Sequence, residues 1–325
     1  MTGPAQLLVA LLLLGGGGPA WAGTVWVVSQ QGARLSRIEA GAGTVAGPTA
    51  VSAAPATVAA GGGLLFLSHP DGHAITVAEA ASGRVLRRLP YAGQVFGLAA
   101  APDGRTVFAT DWSGHRVDRI AAADGRVEAS APTGRDPAHL VLDRAGRLFV
   151  ADRESRQVSV IDAARMERVA TIPVGEAPFA LALDPAESRL YVGNVRSNDL
   201  TVIDTAGLKS IATVPAGAMP YGVAVSPDGA RVLVTNQGAG TVTVLDASSL
   251  TIAATVGVGR YPEGIVATET GPGPRAYVAN WFSDDVTVID LATLQAVARL
   301  PVAEGPRSLV TVKDAPGHPS GEGGQ

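Results

Sequence analysis

The chain has 325 residues, 46% of them hydrophobic and 17% charged, with 40 Gly, 22 Pro and no Cys. The apolar fraction supplies a core and rules out wholesale disorder. The missing cysteines exclude disulfides, thiolate nucleophiles, Cys-ligated zinc or iron–sulfur clusters, covalent c-type haem and a lipoprotein anchor. A net charge of −4 gives no electrostatic ground for binding nucleic acid.

In chain order, the first feature is an apolar run, Leu7–Leu14, followed by four glycines and Ala20-Trp21-Ala22 before Gly23. An apolar run followed by a small-residue A-x-A site predicts a secretory signal peptide over residues 1–22, cut after Ala22, and so a periplasmic or secreted protein. No Lys or Arg precedes the run, so the amino terminus supplies the positive charge. Eight apolar residues are too few for a membrane anchor, which needs about 20 in a helix, and no later segment predicts a membrane span.

From Thr24 onward the sequence repeats. The plainest copies are RLFVADRESRQVSVIDAAR from Arg147, RLYVGNVRSNDLTVIDTAG from Arg189, RVLVTNQGAGTVTVLDASS from Arg231 and RAYVANWFSDDVTVIDLAT from Arg275. Each reads as two alternating apolar runs joined by a short polar loop, which is a β-hairpin. The ends of the second runs, Glu39, Glu79, Ala121, Asp162, Asp204, Asp246 and Asp290, are spaced 40, 42, 41, 42, 42 and 44 residues apart. Ten residues before each stands a second column: Ser29, His69, Asp111, Asp152, Asn194, Asn236 and Asn280. A further strand precedes each hairpin, as in Gly222–Ser226 before the turn Pro227-Asp228-Gly229. Another follows it, as in Val169–Val174 and Thr251–Val256.

Four strands in about 42 residues, seven times over, predict an all-β fold: a seven-bladed β-propeller of four-stranded antiparallel blades. An open strand solenoid is the competing repeat fold, but it has no reason to match its ends. Here the chain enters at Thr24–Val28, a second strand, and its last apolar run, Pro306–Val312, has the pattern of a first strand. The C-terminal strand therefore completes the N-terminal blade and removes the unpaired edges. The domain prediction is a single propeller over 23–313 and a disordered polar tail over 314–325.

Val234-Thr235-Asn236, Tyr191–Asn194, Tyr277–Asn280, the Thr-Val-Ile-Asp strands and the Val-Gly-x-x-Pro entries resemble the YVTN-repeat family. The resemblance runs from Thr24 to Val312. It implies exported seven-bladed propellers, many without an assigned activity, and relatives that include lactonase-type hydrolases and the large subunits of periplasmic amine dehydrogenases. Blades one to three depart from the motif, with Ser29, His69 and Asp111 where the family has Asn.

The Asp-Gly turns and the acids Asp162, Asp204, Asp246 and Asp290 have a structural role as turn acceptors, and Asn194, Asn236 and Asn280 read as loop organisers. Function is expected where the repeat breaks. The loops between second and third strands and the start of each first strand share one face, at the mouth of the central channel. There the column at the entry of each blade, after a proline in every blade but the third, reads Ala56, Phe96, Ala138, Phe179, Tyr221, Glu263 and Arg307, and the next reads Thr57, Gly97, His139, Ala180, Gly222, Gly264 and Ser308. Variation laid over a strict repeat is how a shared scaffold carries an individual function.

Three sets of site residues follow. Trp112 and Trp281, in equivalent positions, together with Phe282, Tyr221, Tyr261 and Arg307, are candidates for stacking on a ligand or anchoring a protein partner. His69, His73, His115 and His139 map to this face on adjacent blades, near Asp71 and Asp111. They are candidates for a transition metal, copper or zinc, or for haem. Arg135, Arg153, Arg156, Arg196 and Arg260 share the face with Asp136, Glu154, Glu176, Asp284, Asp285 and Glu304, so no anion funnel is predicted.

Nucleophile-elbow, H-E-x-x-H, Walker and calcium-loop motifs are absent from the sequence. The first functional reading is a non-enzymatic binding or scaffold propeller that presents this face to a protein, small ligand or metal. The alternative is a periplasmic enzyme or enzyme subunit, lactonase-like or amine-dehydrogenase-like, with Glu263, His139, Arg307 and Tyr221 converging at the mouth.

Overall fold

A computed structural model of the protein describes residues 23–40, 43–270 and 272–313. The leader, residues 1–22, and the tail, 314–325, lie outside the described residues. Twenty-eight strands and one short 3-10 helix, Arg153–Ser155, form seven four-stranded sheets. Blade five shows the pattern: Pro178–Leu183, Arg189–Asn194, Asp199–Asp204 and Lys209–Pro215 pair in sequence order, all antiparallel. Blade one is assembled from both ends of the described chain. Pro306–Lys313 pairs antiparallel with Gly23–Ser29, with Trp26 opposite Val310, and the predicted closure is realised.

The position of each strand follows from its pattern. Second and third strands are apolar on both faces because a neighbouring blade covers each face, and Arg189–Asn194 is buried from its second residue to its last. Fourth strands form the rim and alternate or run exposed, as in Lys209–Pro215. Five of the seven first strands open with proline and six carry a bulge near their start, between Pro178 and Leu181 in blade five, which turns the start of the strand toward the axis. The largest buried side chains bridge blades. Tyr277 Oη donates to the Ala40 carbonyl and Trp26 Nε1 to that of Ala80, both at 3.0 Å, so each aromatic body is buried with its polar atom satisfied.

The second-strand column organises the loops as expected. Asn280 Nδ2 donates to Asp285 Oδ1 at 2.6 Å and Thr287 Oγ1 at 2.8 Å, while its Oδ1 accepts from the Gly259 amide at 3.1 Å. Asn194 and Asn236 likewise reach the third-strand threonine seven residues on, and Asp152 accepts from Ser159 in the same register. In blade three Arg116 bridges Asp111 and Asp118 instead. In blade one Ser29 and Ser36 occupy the two positions, and both hydroxyls are buried without a partner among the described residues. The marker acids cap their turns: Asp290 Oδ1 accepts from the amides of Ala292 and Thr293.

Hydroxyls of one blade hold the mouth residues of the next. Thr57, Thr110 and Thr235 donate to the carbonyls of Phe96, Ala138 and Glu263 at 2.7, 2.8 and 2.7 Å. Gly97, Gly222 and Gly264 make the same approach possible. A Cβ on any of them would collide with the carbonyl of Ala138, Glu263 or Arg307 in the adjacent blade.

Candidate functional site at the channel mouth

The two variable columns converge. Phe96, His139, Phe179 and Tyr221, from blades three to six, follow one another with ring-centroid separations of 5.8, 4.9 and 4.0 Å. Arg307 of blade one completes the circuit: its Nη2 donates to Tyr221 Oη at 3.0 Å, and its guanidinium carbon lies 5.5 Å from the centre of the Phe96 ring. Five side chains from five blades thus form a closed ring across the axis.

Cavities lie on either side of this layer. On the inner side, about 260 Å³ is lined by His139, Tyr221, Arg307, Ser308 and one aliphatic residue from every blade: Val58, Leu98, Leu140, Leu181, Val223, Ile265 and Leu309. On the outer side, about 250 Å³ is bounded by Gln30, Pro70, Asp71, Gln94, Phe96, Trp112 and Arg307. Arg307 borders both.

Arg307 is held on every side. Its Nε lies 3.1 Å from Glu263 Oε2, Nη1 donates to Gln30 Oε1 at 2.9 Å, and Trp281 offers a ring 5.6 Å from the guanidinium carbon. Gln237 donates to Glu263 Oε1 at 3.2 Å. Glu263 Oε2, although paired by charge, is buried and accepts no hydrogen bond. Burial pushes the Glu263 carboxyl up to about 7 against the opposing pull of Arg307. Burial, with the Arg307 charge, lowers His139 to about 4, so its imidazole is neutral. Tyr221 is held well above the usual phenol range by burial and the adjacent Glu263.

The four histidines do not meet. His69 belongs to the second-strand column, with Nε2 2.9 Å from Thr76 Oγ1, Nδ1 2.9 Å from the Ala53 carbonyl, and a pKa lowered by burial. His73 and His115 sit at the left-handed position of their hairpin loops, φ 46° and 53°, the place held elsewhere by Asn198, Gly240 and Asp284. Their Nδ1 atoms bond backbone 20 and 21 residues on, at Gly93 and Asp136, as Asn198 and Asp284 bond the amides of Met219 and Gly305. His139 alone enters the mouth layer. Among the described residues no group of three or more His, Cys, Asp or Glu side chains is placed to hold a metal ion.

The aromatics divide. Trp112 packs on Phe96 at 5.1 Å and Trp281 lies against Arg307, so the two equivalent tryptophans serve different partners in one layer. Tyr261 and Phe282 form a separate pair, 5.1 Å apart, with Phe282 53% exposed. The loop charges pair locally, Glu154 with Arg153 and Arg196, and Glu176 with Arg156. Sequence reasoning missed Gln30 and Gln237, which occupy the same column as the tryptophans, and the aliphatic collar, two residues beyond the variable column. Reading each column through all seven blades would have found both.

Residues 180–273 match the family described as YNCE-like beta-propeller. The protein is a seven-bladed propeller similar to the YVTN-like proteins. No curated protein matches it in sequence. Among solved structures it is similar to a functionally unknown protein from Desulfotomaculum acetoxidans DSM 771, with TM-score 0.75, 14% identity, and 90% of this chain and 99% of that one covered. It is also similar to Kuenenia stuttgartiensis hydrazine synthase, with TM-score 0.52, 19% identity, and 73% and 96% covered. Both likenesses concern the fold alone. No helix among the described residues is long and apolar enough to cross a membrane.

Proposed function

We propose that this is an exported, non-catalytic binding propeller that takes a small ligand, or a segment of a partner protein, on the outer side of the channel mouth. One observation carries the reading: the residues that break the repeat close into a single sealed layer, with Trp112 and Phe96 facing an outer cavity above it. The groups an enzyme would use are committed elsewhere. Glu263 lies against Arg307 and Gln237, and His139 is packed between Phe96 and Phe179. Export rests on the leader's order of apolar run and A-x-A site. The enzyme reading, lactonase-like or amine-dehydrogenase-like, has one point in its favour: a carboxyl at about 7 can act as an acid or a base near neutrality.

Thermal-shift screening against a panel of sugars, organic cations, carboxylates and quinones should yield a stabilising ligand whose effect disappears in Trp112→Ala. Lactone hydrolysis and amine oxidation should be absent. Turnover that Glu263→Gln removes would overturn the reading, as would a panel with no ligand at all.

A further inference from the structure

The outer cavity has a definite chemistry. Its floor is aromatic: the Phe96 ring with Trp112 beside it. Its walls carry polar groups left unused by the protein. Gln30 and Gln94 each spend a carbonyl oxygen, on Arg307 and on Ser113, and leave their amide NH₂ groups without a partner among the described residues. The Asp71 carboxylate and the Trp112 indole N–H also have none there, in contrast to the paired acids elsewhere on this face.

The charges narrow the ligand. Arg307 lies against Glu263, and its Nε, Nη1 and Nη2 are each already directed at a protein oxygen, on Glu263, Gln30 and Tyr221, while Asp71 would repel an anion. What remains is three N–H donors and one strong acceptor around an apolar floor. A ring bearing hydroxyls on its edge and C–H groups on its face satisfies all of these. Hydroxyls both donate and accept, and electropositive C–H groups lie well on the negative face of an aromatic ring. At about 250 Å³ the cavity is smaller than the roughly 300–1,000 Å³ that holds drug-sized molecules, which suits a single ring.

We propose that the outer cavity binds a neutral polyhydroxylated ring, as a free monosaccharide or as the terminal residue of a glycan. The inference rests on the binding reading above and names its ligand class.

Saturation-transfer NMR on the full protein, with the methyl glycosides of glucose, galactose, mannose and N-acetylglucosamine, tests it. Oligosaccharides of the same sugars form a second arm, and choline and benzoate serve as charged controls. Saturation of the ring C–H protons of at least one glycoside is expected, with affinity falling at least tenfold in Trp112→Ala and in Asp71→Asn. The exposed Asp71 provides a variant that leaves the fold undisturbed. Tighter binding of the oligosaccharide would identify a glycan terminus, and equal binding a free sugar. Transfer to none of the glycosides, transfer to choline or benzoate alone, or sugar binding unchanged in both variants would overturn the inference. A charged ligand lost in Trp112→Ala would do so while leaving the binding reading intact. Failure of the whole thermal-shift panel would remove that reading itself.

Discussion

Two columns of the repeat run around the same face, and they behave in opposite ways. The column ending the second strands holds Asn, Asp or His in six blades, and each member turns sideways to fasten its own hairpin loop. The column opening the first strands varies in nearly every blade, and its members turn inward to meet one another. The first solves one local problem six times; the second solves one global problem once. Chemical variety is concentrated where side chains from five blades meet one another across the axis.

The contrast can be broken most severely at Arg307. Arg307→Met leaves Glu263 buried beside no cation, and at pH 8 should cost about 4 kcal/mol of stability by urea unfolding. The loss should shrink toward pH 5 as Glu263 takes up a proton and the uncompensated charge vanishes. The repeated column should show uniformity instead. Asn194→Leu, Asn236→Leu and Asn280→Leu each remove a buried amide's hydrogen bonds and should each cost about 3 kcal/mol in thermal unfolding. A scatter among the three as wide as that within the variable column would erase the distinction drawn above.

The mouth layer has a pH signature of comparable size. Glu263 is raised from an ordinary 4.5 to about 7, so the folded state binds the extra proton and this group's contribution falls as pH rises through that window. His139 is lowered from 6.5 to about 4, so the unfolded state binds the extra proton and its contribution rises with pH from about 4 to 6.5. Each amounts to about 3 kcal/mol, and they oppose each other where the windows overlap. Between pH 4.5 and 6.5 the unaltered protein should therefore show a shallow profile. Glu263→Gln should expose a stability that climbs with pH, and His139→Gln one that declines. Smallest of all, Phe282→Ser should leave unfolding within about 0.5 kcal/mol, because the ring is half in solvent and its aromatic partner is the loop residue Tyr261. A larger loss would mean that this pair supports the fold.

The architecture was readable because most strands announce themselves locally: a first strand that in five blades opens with proline, doubly buried middles and a rim strand with alternating exposure. Closure was readable because Pro306–Val312 carries the pattern of a first strand. The histidines show where reading stopped. Their clustering on one face is real, but the face has three kinds of position. His69 occupies a loop-fastening position and His73 and His115 a left-handed turn, as the residues at the same positions in other blades reveal. Only His139 points at the axis, because the bulge at the start of its strand swings it there. The Gln30–Arg307 contact joins residues 277 apart, and no spacing within a blade foretells it.

The strand Pro306–Lys313 closes the ring, and Arg307 lies within it. One eight-residue segment therefore finishes the fold and installs the side chain that joins Tyr221 to Phe96. A chain ending before Pro306 would have an open blade and an unsealed channel together. Closing the ring and completing the mouth layer depend on the same strand.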